Sequence, residues 1–156
     1  MNLFGIGPAL ALTGALGFAL AKWLDGAFGI RYGFAGLGLA AATLAAFLLM
    51  TAGLYLWLGA IVELRRGEFG RKLLAEGVYA RTQNPMYAAF IFFLAPALAL
   101  LLNNLVYLTA SALMYAVFDW LIEREEKPLL EKFGQAYLDY AASTPHLIPR
   151  LFTPRK

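Results

Sequence analysis

The stretch PMYAAFIFFLAPALALLLNNLVYLTASALMYAVFDWLI, residues 85–122, holds a single charged residue, Asp119. A helix on the surface of a soluble domain shows polar residues at every turn; this stretch does not. Its clearest turn signal is Asn103-Asn104, near the middle. The stretch therefore predicts two apolar helices, 85–102 and 105–122, folded back as a hairpin. Each lies near the lower limit of the roughly 20 residues that cross a bilayer. Pro85 opens the first helix, where its fixed φ and missing N–H cost little.

The pattern repeats upstream. Residues 1–62 carry only Lys22, Asp25 and Arg31 as charges. They predict two further spans, about 3–24 and 34–64, turning at Asp25-Gly26 and Gly29. The second exceeds what a bilayer needs, so it tilts or projects Glu63, Arg65 and Arg66 into water. The N-terminus has no basic leader and no convincing cleavage site, and reads as a retained span rather than a signal peptide. Gly29 and Gly33, followed by Gly36 and Gly38, have small-xxx-small spacing and predict close helix packing. A nucleotide-binding glycine loop would follow a strand, and no strand is predicted.

Of the 156 residues, 61% are hydrophobic, above the roughly 45–50% of soluble domains. The expected fold is all-α and integral to the membrane, with about four transmembrane helices in a single domain. Its parts are N-terminal spans (1–64), a polar linker (65–84), the helical hairpin (85–122) and a helical tail (123–156). Linker residues Phe69, Leu73, Leu74 and Val78 are expected at the membrane interface. Arg65, Arg66, Arg71, Lys72 and Arg81 sit in the linker and six more basic residues in the tail, whereas the turn at 103–104 has none. Both basic segments are thus expected on the cytoplasmic side, although Lys22 and Arg31 argue weakly the other way. A net charge of +3 calls for no nucleic-acid partner, and the absence of cysteine excludes disulfides and thiolate chemistry.

Two polar segments meet the membrane on that side. One is GVYARTQNPMY, residues 77–87, with Tyr79, Arg81, Gln83, Asn84, Pro85 and Tyr87. The other is DWLIEREEKPLLEKFGQAYLDY, residues 119–140. On one continuous helix Asp119, Glu123 and Glu126 share a face and Glu125 points to the next. Acids at a bilayer boundary that point inward are costly without partners and mark a function. The alternative is a solvated face paired with lysine and arginine at i,i+3 and i,i+4. His146, the sole histidine, falls in a proline-flanked loop and reads as exposed, with a role toward the substrate as the alternative; with scattered acids it makes no metal site. Trp120 reads as packing, with a tunnel wall as the alternative.

These motifs resemble the integral-membrane methyltransferase superfamily, which includes isoprenylcysteine carboxyl methyltransferases and phospholipid N-methyltransferases. Gly77 and Tyr79 match its Gly-x-(Tyr/Phe) entry, and Asn84, Pro85 and Tyr87 its Arg-(His/Asn)-Pro-x-Tyr element. A hairpin follows, then the Glu125-Glu126 pair, then Phe133, Gly134 and Tyr137 of a Phe-Gly-x-x-Tyr element. Pro145 and Pro149 match the proline-rich ending. The chain departs from the pattern at Gln83, where arginine is usual, at Leu121, where some members carry arginine, and at Thr144, which replaces valine.

The resemblance implies S-adenosylmethionine as cofactor, enclosed by hairpin and tail, and a lipophilic small-molecule or lipid acceptor entering from the bilayer. It places Tyr79, Gln83, Asn84, Pro85, Tyr87, Glu125, Glu126 and Tyr137 around the cofactor. Glutamates suit its ammonium or ribose hydroxyls, and Asn84, Tyr87 and the helix start after Pro85 suit its carboxylate. The acceptor group is a carboxylate or an amine. An amine must lose a proton, for which Asp119 or Glu123 is the candidate base, and Arg81 is the candidate stand-in for the missing arginine. The rival reading is a four-span transporter acting as a dimer. It would be expected to carry an ionisable residue within a span, yet the first two spans have no interior acid and Asp119 lies near an end.

Overall fold

The structure, a computed structural model, describes residues 5–66 and 72–150, and within them every regular element is helical. In chain order these are α1 (Gly7–Phe28), α2 (Gly36–Arg66), a 3-10 turn (Gly77–Ala80) and α3 (Pro85–Leu101). Then come α4 (Leu105–Leu121), α5 (Glu123–Phe133) and α6 (Gln135–Ser143). Expectations for residues 3–4, Phe69, Arg71 and 151–156 lie outside the described residues. By length and composition α1 and α2 can each cross a membrane, α4 with α5 makes a third candidate, and α3 is apolar but shorter.

The hairpin is the centre of the bundle. α1 packs against α4 and α2 against α3, so the helices run in the order α1, α4, α3, α2. Small residues permit this. A Cβ on Gly17 would stand 2.6 Å from the Ala110 Cα, and one on Gly53 would stand 2.8 Å from Leu94. Within α3, Ala88, Ala89, Ala95, Ala97 and Ala99 are buried, as expected where backbones approach without a strong hydrophobic drive. By contrast α1 and α2 show Leu12, Leu16, Phe47 and Leu48 outward, each at least 60% exposed; that surface suits acyl chains. α3 is π-helical over Ala89–Leu94, and the Ala95 N–H reaches back to the Phe90 carbonyl. Pro96 follows, with no N–H to give, and a wider turn upstream accommodates it.

The glycine expectation is corrected. Gly29 caps the end of α1, and Gly33 lies in the connection between α1 and α2 against Asn103. Helix packing uses Gly14, Gly17, Gly53 and Gly59 instead. The Asn103-Asn104 turn also does more than reverse the chain. Asn103 is left-handed at φ 49°; its N–H bonds the Leu100 carbonyl and that of Asn104 bonds Ala99, a Schellman motif. The two side chains then hold the α1–α2 connection. Asn103 Oδ1 accepts from Phe34 N at 2.8 Å, and Asn104 Oδ1 accepts from Tyr32 N at 3.2 Å and Val106 N at 3.1 Å.

The reading of residues 119–126 as one straight helix is also corrected. α4 and α5 do not form one straight helix; they bend by 41° around Ile122. Asp119 therefore does not share a continuous face with Glu123 and Glu126.

Asn104 is 1% exposed, and Asn104→Ala removes the acceptor of the part-buried N–H groups of Tyr32 and Val106, at about 0.5–1.5 kcal/mol each. Equilibrium unfolding in mixed micelles should show a clear loss of stability for this variant. An unchanged transition would show that the amide does not hold the connection.

Candidate functional site

At the end of the bundle opposite Asn103-Asn104, four pieces of chain converge. They are the start of α1, the segment leading into α3, the α4–α5 junction and the tail 144–150. The segment is set by Gly77. Its φ is 59°, a left-handed conformation that disfavours any side chain, and a Cβ there would lie 2.6 Å from Glu63 Oε1, which would have to move aside. Val78 beside it is buried against Gly59 of α2.

From there the chain forms a clamp. The Thr82 hydroxyl, fully buried, donates to the Leu147 carbonyl at 3.0 Å. The Gln83 N–H donates to the Pro145 carbonyl at 2.9 Å, and its side-chain amide donates to Thr144 at 2.7 Å and Ala141 at 3.1 Å. Asn84 Nδ2 donates to the His146 carbonyl at 3.0 Å. Arg150 N–H closes the strip on the Arg81 carbonyl. The physical reason lies in the tail: its prolines break helix and ladder alike, so its buried carbonyls need side-chain donors.

The glutamate pair points two ways. Glu125 turns into the bundle, where the Tyr87 hydroxyl donates to it at 2.8 Å and the Ile6 N–H bonds the same oxygen. It thereby ties the starts of α1 and α3 to α5. Glu126 faces the tail and meets His146 Nε2 at 2.7 Å. The His146 ring lies 5.5 Å from that of Phe118, which in turn lies 5.7 Å from Tyr87.

Tyrosines line this region. Burial, then the charges of Glu125 and Glu63, push the Tyr79 hydroxyl up to about 12. Burial and then Glu126 push Tyr137 up to about 12. Tyr140 is raised as well, by burial first, and its hydroxyl donates to the Tyr79 carbonyl at 2.8 Å. Near neutral pH all three are neutral phenols.

Beside the pair, α4 and the tail enclose an open cleft of about 290 Å³ lined by Tyr115, Phe118, Asp119 and residues 145–148. The structure thus brings Tyr79, Gln83, Asn84, Pro85, Tyr87, Glu125, Glu126 and Tyr137 to one end of the bundle and sets Asp119 in the adjoining cleft. It does not bring the other two candidates there. Glu123 is exposed, and the Arg81 guanidinium lies over the Tyr55 ring of α2 at 5.6 Å. Trp120, 73% exposed, lines no part of the cleft. Thr82 is the residue that sequence reasoning missed. It carried no motif signal, whereas the proline-flanked carbonyls of the tail were a signal that donors were needed. His146 is exposed, as expected, and it also meets Glu126 and sets its ring at a tilt beside Phe118.

Residues 63–136 match the phospholipid methyltransferase family. Over 89 residues, 57% of this chain, the sequence is 29% identical to Protein-S-isoprenylcysteine O-methyltransferase B of Arabidopsis thaliana. The aligned part is 45% of that protein, so this chain spans less than half of its length. No solved structure matches. Both matches are to methyltransferases of the kind that the motifs of residues 77–149 resemble. The family match starts at the end of α2 and takes in the clamp residues 82–84, the hairpin and the glutamate pair. Tyr137 and the tail lie beyond it.

Thr82→Val keeps the shape and removes the donor to Leu147, a loss of about 1 kcal/mol. Amide hydrogen exchange at Gln83 and Arg150 should rise about fivefold, as that energy implies, with the exchange of α3 unchanged. Wild-type protection at both amides would show that the clamp does not depend on Thr82.

Proposed function

We propose that this chain transfers the methyl group of S-adenosylmethionine to a lipophilic acceptor that reaches the site from the bilayer. The observation that carries the reading is the half-buried Glu125-Glu126 pair, one carboxylate bonded at the head of α3 and its neighbour at the tail. The donor set fits the cofactor. It places two carboxylates among Tyr79, Tyr87, Phe118 and Tyr137, an acidic and aromatic surround suited to a group with a sulfonium and an ammonium. When bound, the cofactor supplies an electrophilic methyl carbon.

The chain's own residues do the remaining work. Glu125 and Glu126 hold cationic and hydroxyl groups. Tyr79, Tyr87 and Tyr137 wall the pocket as neutral donors. Pro85 starts α3 so that free N–H groups face an anionic group. Gln83 and Asn84 spend their amides on the tail and so act by keeping the pocket covered, which orients reactants and excludes water. The cleft at Asp119 receives the acceptor, with its apolar rim open toward the bilayer.

Geometry supports the membrane placement. The 17 residues of α3 span about 25 Å and the 31 of α2 about 46 Å at 1.5 Å per residue. Gly59 lies level with Val78, so α2 overhangs the site by roughly 10 Å. A site at the end of a short hairpin sits in the headgroup layer rather than in bulk water. Four crossings in a single domain put linker and tail on one side. Their basic residues favour the cytoplasm, and at the other end Arg31 is paired with Asp25 at 2.8 Å. The transporter alternative finds no support in either match.

Calorimetry on the protein in lipid nanodiscs should show binding of S-adenosylmethionine and of its demethylated product. Of Glu125→Gln and Glu126→Gln, at least one should weaken that binding by roughly 1.5–3 kcal/mol, the scale of a hydrogen bond to a charged group. Folded wild-type protein that binds neither compound would reject the reading.

A further inference from the structure

We propose that His146, oriented by Glu126, is the proton acceptor for an amine-bearing headgroup in the cleft beside α4. The proposal rests on the methyl-transfer reading and adds to it a residue.

His146 is fixed from three directions. Its carbonyl is held by Asn84 Nδ2, its Nε2 by Glu126, and its ring lies against Phe118. A loop histidine that served only as a solvated residue would need none of these. With Nε2–H donated to the carboxylate, Nδ1 keeps its lone pair; it makes no hydrogen bond among the described residues.

The cleft selects the partner. Asp119 stands on the α4 wall, His146 on the tail wall, and Tyr115, Leu147 and Ile148 supply apolar lining. Ile148 is 69% exposed and Tyr115 47%, so the lining continues onto the outer surface. An occupant with a cationic head and an acyl chain matches both halves. A carboxylate head would instead face Asp119 and Glu126. An aliphatic amine is protonated near pH 7, since such groups titrate near 10, and it needs a base before it can act as a nucleophile. The phenols of Tyr79, Tyr137 and Tyr140 titrate too high for that task.

The step balances. Nδ1 takes a proton from the ammonium, and the freed nitrogen lone pair forms the new N–C bond. The C–S bond breaks with its electron pair kept by sulfur, so the sulfonium charge ends on the methylated ammonium. His146 then returns its proton to water at the open cleft.

The test uses the full chain, untagged, in nanodiscs doped with a long-chain primary amine or a long-chain carboxylic acid, with labelled methyl donor. His146→Gln should cut methylation of the amine by at least about 100-fold, the lower range for a lost general base, while calorimetric affinity for S-adenosylmethionine stays within twofold. The sole imidazole gives a second readout that does not depend on that variant. At pH 8, 15N NMR of the wild type should report the proton on Nε2, and Glu126→Gln should yield mixed tautomers with about tenfold slower amine methylation. Three results overturn the proposal alone: amine methylation by His146→Gln at the wild-type rate, wild-type activity on the acid but not the amine, or a proton resident on Nδ1. Wild-type protein that binds no methyl donor overturns the underlying reading and this proposal together.

Discussion

Everything at the functional end of this protein depends on the hydrogen bonds that Thr82, Gln83 and Asn84 give to the carbonyls of residues 144–147. A proline-broken segment outside any helix has acceptors and few ways of its own to satisfy them. Where its residues are buried, as at Thr144 and Leu147, an unmet carbonyl costs more than it would at the surface. The side chains that meet the need stand immediately before Pro85, where the chain enters α3. One short sequence therefore does two jobs, starting a membrane helix and seating the tail. The position of His146 against Glu126 and of the cleft beside Asp119 follows from that seat.

The second constraint is length. The 17 residues of α3 fall short of the roughly 20 that cross a bilayer, and α2 runs on past the level of Val78. The 41° bend at Ile122 turns α5 off the axis of α4, and the consecutive glutamates, about 100° apart around α5, serve different neighbours.

Much of this was legible in the sequence. The single charge in residues 85–122 and the Asn103-Asn104 pair gave the hairpin, because a burial rule that simple leaves few alternatives. The ordered motifs from Gly77 to Pro149 marked the segments that meet at the site. What was hidden were matters of partner choice. Gly29 and Gly33 had the spacing of a packing motif but fall in a connection, since spacing carries no information about where a helix ends. Asp119, Glu123 and Glu126 shared a face only on the assumption of a straight helix. Thr82 looked unremarkable because its role is defined by carbonyls more than 60 residues away. His146 is exposed, as read, but its contacts with Glu126 and Phe118 were hidden because a loop histidine acquires meaning only from what the loop is packed against.

The most direct measurement is the fate of a labelled methyl group. Purified protein in nanodiscs made from a total lipid extract is incubated with methyl-labelled S-adenosylmethionine, and the label is followed into the organic phase. The account predicts protein-dependent label in a lipid-soluble product, lost when Glu125 and Glu126 are both replaced by glutamine. Folded protein that binds the donor yet leaves all label in the aqueous phase would contradict it.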